Sequence, residues 1–376
     1  MAIEPPFLEK YKAIFQSSAS EKEKSTIVDV LEELELPLID LGHLNLGPFE
    51  TKTCIEKMAR AATEWGFFQI VNHGIPEELL TRLKQEQIKV FQQPFDKKSE
   101  DNFLNLSAQS YRWGNPLATS LRNLSWSEAL HITLKDISKM DEYNKLRSTI
   151  EEYSEKANVL AQRLAEHLAE SLGFKASYFG ENCSPSSSSL RMNRYPPCPY
   201  SSMMFGIIPH TDTDFLTIVS QDRVGGLQLE RNGRWVNVKP NPKALVVNIG
   251  DFYEAYSNGV YKSITHRVIA NQETERYSAA YFYCPTYETV IESCSKPSLY
   301  RKFSSKEYRE QIQKDVKATG DKLSDAMAVM SLKARVCFLT LRVTLSKIIV
   351  LLKFSLDFQY CQFGCCCFNI FCNKNM

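Results

Sequence analysis

Between Leu190 and Cys284 the chain is a succession of short β-rich segments: LRMNRY, FGIIPHTD, FLTIVSQD, GLQLE, RWVNVK, ALVVNIG, SITHRVIA and RYSAAYFYC. Turn-forming residues separate them. Arg231-Asn232-Gly233-Arg234 is a hairpin signal, because Asn-Gly accepts the positive φ angles that a two-residue reversal needs. Strands at this spacing specify an antiparallel sandwich or barrel. The half before the serine-rich break Ser184–Ser189 reads differently. LPLIDL (Leu36 to Leu41) is a strand, and Thr51–Gly66 is a helix stopped by Gly66. FFQIVNHG (Phe67 to Gly74) is a strand ending in a turn, and a second helix starts from Pro76. From Glu142 to Leu172 the apolar residues Leu146, Ile150, Tyr153, Ala157, Leu160, Leu164, Leu168 and Leu172 form one helical stripe, ended by Gly173. Helices first and strands after give an α+β class. The expected fold is a double-stranded β-helix (jelly-roll) barrel with N-terminal supporting helices. Three regions are expected: a mostly helical part over 1–183, a barrel core over 184–322 ending in a helix, and an atypical extension over 323–376.

The barrel half carries a metal-ligand pattern. The chain has six histidines, and His210 stands two residues before Asp212 in PHTDTDF. His266 opens another β-rich stretch. Two histidines and one carboxylate are the ligand set of non-haem Fe(II) oxygenases. Arg276 and Ser278 follow in RYS, on one face by the two-residue strand period. A guanidinium beside a hydroxyl is a receptor for a carboxylate. Together these groups suit 2-oxoglutarate, whose 2-oxo acid chelates iron and whose far carboxylate needs a cation.

PHTDTDF holds a second aspartate, Asp214. Octahedral iron with His210, Asp212, His266 and a chelating 2-oxo acid keeps one position for dioxygen, and a fourth protein ligand would close it. Charge agrees: Fe²⁺, one aspartate, the 2-oxoglutarate dianion and Arg276 sum to zero, whereas a second ligating carboxylate leaves a costly buried negative charge. Asp212 is the expected ligand, and Asp214 is expected to support the loop or the ligands.

These residues resemble the plant 2-oxoglutarate/Fe(II) dioxygenases. The resemblance runs from about Pro37 to Lys322 through WGFFQIVNHGIP, RMNRYPPCP, PHTDTDFLTIV, GGLQL, NIGD, SITHRV and RYSAAYF. Within the family, Tyr111 to Ile132 resembles the gibberellin 2-beta-dioxygenases, in particular the group acting on twenty-carbon gibberellins. The resemblance implies iron at His210, Asp212 and His266, and Arg276 and Ser278 on the far carboxylate of 2-oxoglutarate. It also implies Asn193 and Tyr195 near that co-substrate, dioxygen as second co-substrate, and ascorbate as reductant. The implied reaction is hydroxylation of a gibberellin at carbon 2 on the β face, which inactivates the hormone. Tyr111, Arg112 and Trp113 are the substrate-lining candidates, with Arg112 able to pair with the hormone carboxylate. Alternatives are a flavonoid or another terpenoid as substrate, or a catalytically inactive hormone-binding isoform.

The remaining features bear on partners and location. A net charge of +1 gives no electrostatic footprint for nucleic acid. The N-terminus is charged early and lacks an apolar stretch of signal-peptide length, so a cytoplasmic and also nuclear location is expected, as a monomer. Five of the eleven cysteines are scattered before residue 300 and read as reduced thiols. The others crowd the extension, where Cys365-Cys366-Cys367 reads as loose thiols. Val336 to Leu356 is long enough to span a bilayer, but Arg342 and Lys347 interrupt it, each costing about 2.5–3.5 kcal/mol at a membrane centre. A membrane span is not expected. His73, in NHG, reads as a turn residue, and Trp65, Phe67 and Phe68 as core.

Overall fold

The computed structural model describes residues 2–20, 32–201, 204–319 and 330. Apart from Met330, the extension 323–376, with its apolar run and cysteine cluster, lies outside the described residues. The chain opens with α1 (Phe7–Lys10) and α2 (Lys12–Ser20), then β1 (Glu33–Leu34), β2 (Leu38–Asp40), α3 (Pro48–Glu64) and β3 (Phe67–Val71). Next come α4 (Glu77–Phe91), α5 (Phe95–Lys98), β4 (Tyr111–Trp113) and β5 (Glu128–Thr133). The long helix α6 (Asn144–Ser171) and α7 (Ser177–Asn182) lead into β6 (Ser189–Tyr195), β7 (Phe205–His210), β8 (Leu216–Gln221), β9 (Leu227–Arg231), β10 (Arg234–Val238) and β11 (Leu245–Ile249). After α8 (Asp251–Tyr256) follow β12 (His266–Ile269), β13 (Arg276–Tyr283) and α9 (Ser305–Thr319).

Two sheets build the barrel. One runs β2-β3-β11-β8-β13-β6-β5-β4, eight strands, and the other runs β1-β10-β9-β12-β7, five strands. Each expected β-rich segment after Ser189 forms a strand. Arg231 pairs with Arg234 across the Asn232-Gly233 turn, whose φ angles of 51° and 73° match the reversal read from the Asn-Gly pair. The first half is less purely helical than expected. Its strands β2, β3, β4 and β5 extend the larger sheet at both edges. The sequence marks β2 and β3 as strands; β4 and β5 escape that reading because they carry charged residues, Arg112 at the centre of one and Glu128 at the start of the other.

The two-residue period sorts the larger sheet into two faces. Leu130, Ile132, Leu190, Met192, Ile218, Leu245, Val247, Ala279 and Tyr281 turn outward and are buried with the α6 stripe and with α3 and α4 in one core. Each large apolar side chain so covered contributes about 1.5–3 kcal/mol. The opposite parity, including Ala129, Arg191, Asn193, Tyr195, Thr217, Asn248, Arg276 and Ser278, faces the space between the sheets and lines a cavity of about 970 Å³. Phe67, Leu227, Leu229, Val236 and Val246 close one end of that space with a smaller apolar cluster. Among the described residues no helix is long and apolar enough to cross a membrane. The five described cysteines are free thiols.

A buried charge cluster pins the β4–β5 edge. Glu128, wholly buried, stands opposite Arg194 in the β5–β6 ladder and accepts from Arg194 Nη1 at 2.7 Å, from the Tyr111 hydroxyl at 2.5 Å and from Lys98 Nζ. Arg194 also reaches Glu4 at 2.6 Å and Glu275 at 2.9 Å, which ties the N-terminal segment to the barrel. Glu128→Gln removes the anion on which two cations converge. It is expected to destabilise the fold by about 3–5 kcal/mol, measured by denaturant unfolding.

Candidate active site

Two paired strands set the site. His210 ends β7 and His266 begins β12, and the antiparallel register places them directly opposite each other. Their ring centroids are 4.2 Å apart. Each ring directs Nδ1 at a carbonyl two residues back in its own segment, Ile208 O at 2.9 Å and Ile264 O at 3.1 Å. Donation to those carbonyls places the proton on Nδ1 and turns the Nε2 lone pairs inward. Both Nε2 atoms then face Asp212 Oδ1, at 3.7 Å and 3.8 Å. The other Asp212 oxygen is engaged: Oδ2 accepts from Thr217 Oγ1 at 2.6 Å and Asn248 Nδ2 at 2.7 Å. Phe67 packs edge-on against His266, with centroids 5.2 Å apart.

The turn carrying Asp212 is clamped from behind. Asp251 N donates to Asp212 O at 2.8 Å, Phe252 N to Thr213 O at 3.1 Å and Gly250 N to Phe215 O at 3.0 Å. A Cβ on Gly250 would stand 1.9 Å from Asp214 O, so only glycine permits this approach. The ligand atoms of His210, Asp212 and His266 all lie within 4.8 Å of one another, the one such His/Asp/Glu/Cys group among the described residues. Two imidazole nitrogens and a carboxylate oxygen converging as acceptors fit a divalent iron of the facial-triad type.

Asp214 does not join them. The strand ends at His210, so the two-residue period that would have aligned His210, Asp212 and Asp214 stops there. Asp214 turns away and pairs with Arg309 of α9.

A second receptor lies further along the same inner face. The Arg276 guanidinium, 3% exposed, reaches Gln221 Oε1 at 2.9 Å and Ser278 Oγ at 3.4 Å, and lies 4.8 Å from the centre of the Tyr195 ring. Tyr195 Oη and Asn193 Nδ2 stand 3.4 Å and 3.5 Å from Ser278 Oγ. The structure therefore brings Arg276, Ser278, Asn193 and Tyr195 together. Arg276 Nε and Gln221 Nε2 are buried donors with no acceptor. Orphaned donors around a cation fit an incoming carboxylate.

The segment Tyr111–Trp113 divides. Tyr111 and Trp113 share the outer parity of β4. The Tyr111 hydroxyl serves Glu128, and Trp113 packs edge-on against Phe7 and Phe95 at 5.3 Å and 5.5 Å. Arg112 takes the inner parity, in register with Ala129 and through it Asn193. It is exposed at the cavity rim, where Gln109 O accepts from its Nε at 2.9 Å. His73 is a turn residue, its Nδ1 accepting from Ile75 N at 3.2 Å. Thr217, Asn248, Gln221 and Arg191 were not singled out from the sequence. The available signal was a polar residue at inward parity inside an otherwise apolar strand.

The description "2OG-Fe(II) oxygenase superfamily" matches residues 186–285, and "non-haem dioxygenase in morphine synthesis N-terminal" matches 36–150. The chain belongs to the 2OG-Fe(II) oxygenase superfamily, and iron(II) and 2-oxoglutarate are its cofactor and co-substrate. Among curated proteins it is similar to gibberellin 2-beta-dioxygenase 8 of Arabidopsis thaliana, 50% identical, with 85% of this chain and 97% of that protein covered. Gibberellin 2-beta-dioxygenase 7 of the same plant is 47% identical, covering 86% and 98%. Gibberellin 2-beta-dioxygenase 5 of Oryza sativa subsp. japonica is 45% identical, covering 85% and 94%. Among solved structures, JOX2 in complex with 2OG, Fe and JA superimposes with a TM-score of 0.66 at 31% identity, covering 79% of this chain and 92% of that one.

Two substitutions separate the aspartates' roles. Asn248→Leu removes a donor to Asp212 and is expected to weaken iron affinity roughly 10- to 100-fold in a metal titration. Asp214→Asn should leave iron affinity and stoichiometry unchanged while lowering thermal stability through the α9 contact. Loss of iron in Asp214→Asn would make it a ligand.

Proposed function

We propose that this protein hydroxylates gibberellins at carbon 2 on the β face, consuming 2-oxoglutarate and dioxygen and inactivating the hormone, with twenty-carbon gibberellins as its substrates. The observation that carries this reading is the 45–50% identity to gibberellin 2-beta-dioxygenases over most of the chain. The cavity supports it: Phe67, Ile207, Leu227, Val268, Phe282, Ile312 and Val316 offer apolar walls, and arginines stand among them. A rigid apolar skeleton bearing a carboxylate suits such a lining.

Iron(II) held by His210, Asp212 and His266 supplies the activation of dioxygen that couples decarboxylation of 2-oxoglutarate to hydroxylation of a carbon–hydrogen bond. The protein supplies position. The Ile208 and Ile264 carbonyls fix the histidine tautomers, and Thr217 and Asn248 fix the rotation of the Asp212 carboxylate. Arg276 and Ser278 receive the far carboxylate of 2-oxoglutarate, Gln221 and Tyr195 hold Arg276 in place, and Asn193 orients Ser278. The apolar walls keep bulk water from the reacting carbon.

Purified protein with iron, 2-oxoglutarate and a twenty-carbon gibberellin is expected to release succinate and to yield a product heavier by one oxygen atom, read by mass spectrometry. Succinate release with a flavonoid or another terpenoid instead would reassign the substrate, and none with any of them would leave a binding protein. Arg276→Leu should raise the KM for 2-oxoglutarate about 100-fold, as expected for an anion that loses a buried charged partner.

A further inference from the structure

Four arginines line the cavity: Arg112, Arg191, Arg276 and Arg309. Their charges do not all have partners of the same kind. Arg309 is neutralised by Asp214. Arg276 is matched by the far carboxylate of 2-oxoglutarate, and Asp212 with the co-substrate's other carboxylate balances iron. Arg191 is left over. It sits at inward parity on β6, opposite Ala280 of β13 on one side and His131 of β5 on the other. Its Nε donates to Asn193 Oδ1 at 2.8 Å, and no carboxylate among the described residues lies within salt-bridge range.

The neighbours make the imbalance sharper. Burial pulls the Arg191 pKa down; Tyr195 and Asp212 oppose that shift, and Arg112, close enough to repel it, adds to it. His131 brings no compensation: burial, with Arg191 and Arg112, pushes it down to about 4, away from any charge at neutral pH. Ala280 opposite Arg191 is short and leaves the guanidinium open to the cavity. Arg191 in the cavity and Arg112 at its rim, neither within salt-bridge range of a carboxylate among the described residues, form a receptor for an anion.

We propose that Arg191 is a specificity-determining residue that receives the carboxylate of the substrate, with Arg112 at the rim as the outer member of the pair. This deepens the reading given above and rests on its placement of the substrate in this cavity. Because Asp214 occupies Arg309, selection for an acidic substrate falls to β6 and not to α9.

The test compares a carboxylic acid substrate with its methyl ester, using a gibberellin and a panel of terpenoid acids of similar size, on the full chain loaded with iron and 2-oxoglutarate. The wild type is expected to prefer the acid. Arg191→Met is expected to raise the KM for the acid roughly 10- to 100-fold, to leave the ester unchanged and to keep the KM for 2-oxoglutarate within about threefold, since Arg276 serves that anion. Arg191→Lys keeps the charge without the fork; it should fall between the two and retain the preference, and it carries the test if the methionine variant does not fold. A wild type indifferent to esterification overturns the proposal, as does an Arg191→Met enzyme that keeps the acid preference or loses 2-oxoglutarate affinity instead. If only a non-gibberellin acid is turned over, the gibberellin reading fails, while the acid–ester comparison on that substrate still decides the role of Arg191.

Discussion

The antiparallel pairing of β7 with β12 is the constraint on which the site depends. It sets His210 and His266 directly across from each other, although 55 residues separate them in the chain. A slip of one residue in that ladder would turn one imidazole to the other face of the sheet. The register is held by burial on both sides: Leu229 packs in the inter-sheet cluster and pairs with His266 from β9. The carbonyls of Ile208 and Ile264 then orient the rings. The two histidines thus inherit their aim from backbone geometry, with no other side chain needed to orient them.

Asp212 depends on a different device. It lies past the strand, in a turn that would be mobile if left to solvent. The amide groups of Gly250, Asp251 and Phe252 grip that turn at the start of α8, and Gly250 admits the approach because it has no Cβ. Asp251 is itself locked by Tyr308 at 2.8 Å and Ser263 at 2.7 Å. Through Tyr308, and through Arg309 on Asp214, the C-terminal helix α9 is coupled to the ligand turn at two consecutive residues. That helix also lines the cavity with Ile312 and Val316, so substrate wall and metal turn share one support.

Charge placement separates structure from chemistry. The cluster of Lys98, Glu128, Arg194, Glu4 and Glu275 lies on the outer face of β5 and β6, where every charge meets an opposite one. On the inner face of the sheet Arg191 of β6 and Arg276 of the neighbouring β13 have no carboxylate partner among the described residues. Two arginines of one strand thus serve stability and binding, because alternation sends Arg194 to one side and Arg191, three residues earlier, to the other. Sequence reading grouped Tyr111, Arg112 and Trp113 as substrate-lining residues on resemblance; all three border the cavity, with Tyr111 and Trp113 also engaged in packing contacts and Arg112 at the rim.

Much of the site was legible because its residues are chemically rare. Histidines are few in this chain, a His-x-Asp pair with a later histidine matches a known ligand set, and an Arg-x-Ser on a strand shares a face by arithmetic. Those inferences need only composition, order and the two-residue period. Thr217, Asn248, Gln221 and Arg191 are common residue types in common surroundings, and nothing local marks them. The same holds for Asp214, whose partner lies 95 residues away. The sequence by itself determined the strands, the ligand types and the count of charges. Which inward-facing polar group meets which, and which cation stands without a carboxylate among the described residues, was decided by the tertiary structure alone, because hydrogen bonds and ion pairs act over a few ångströms and only the folded chain brings distant segments that close.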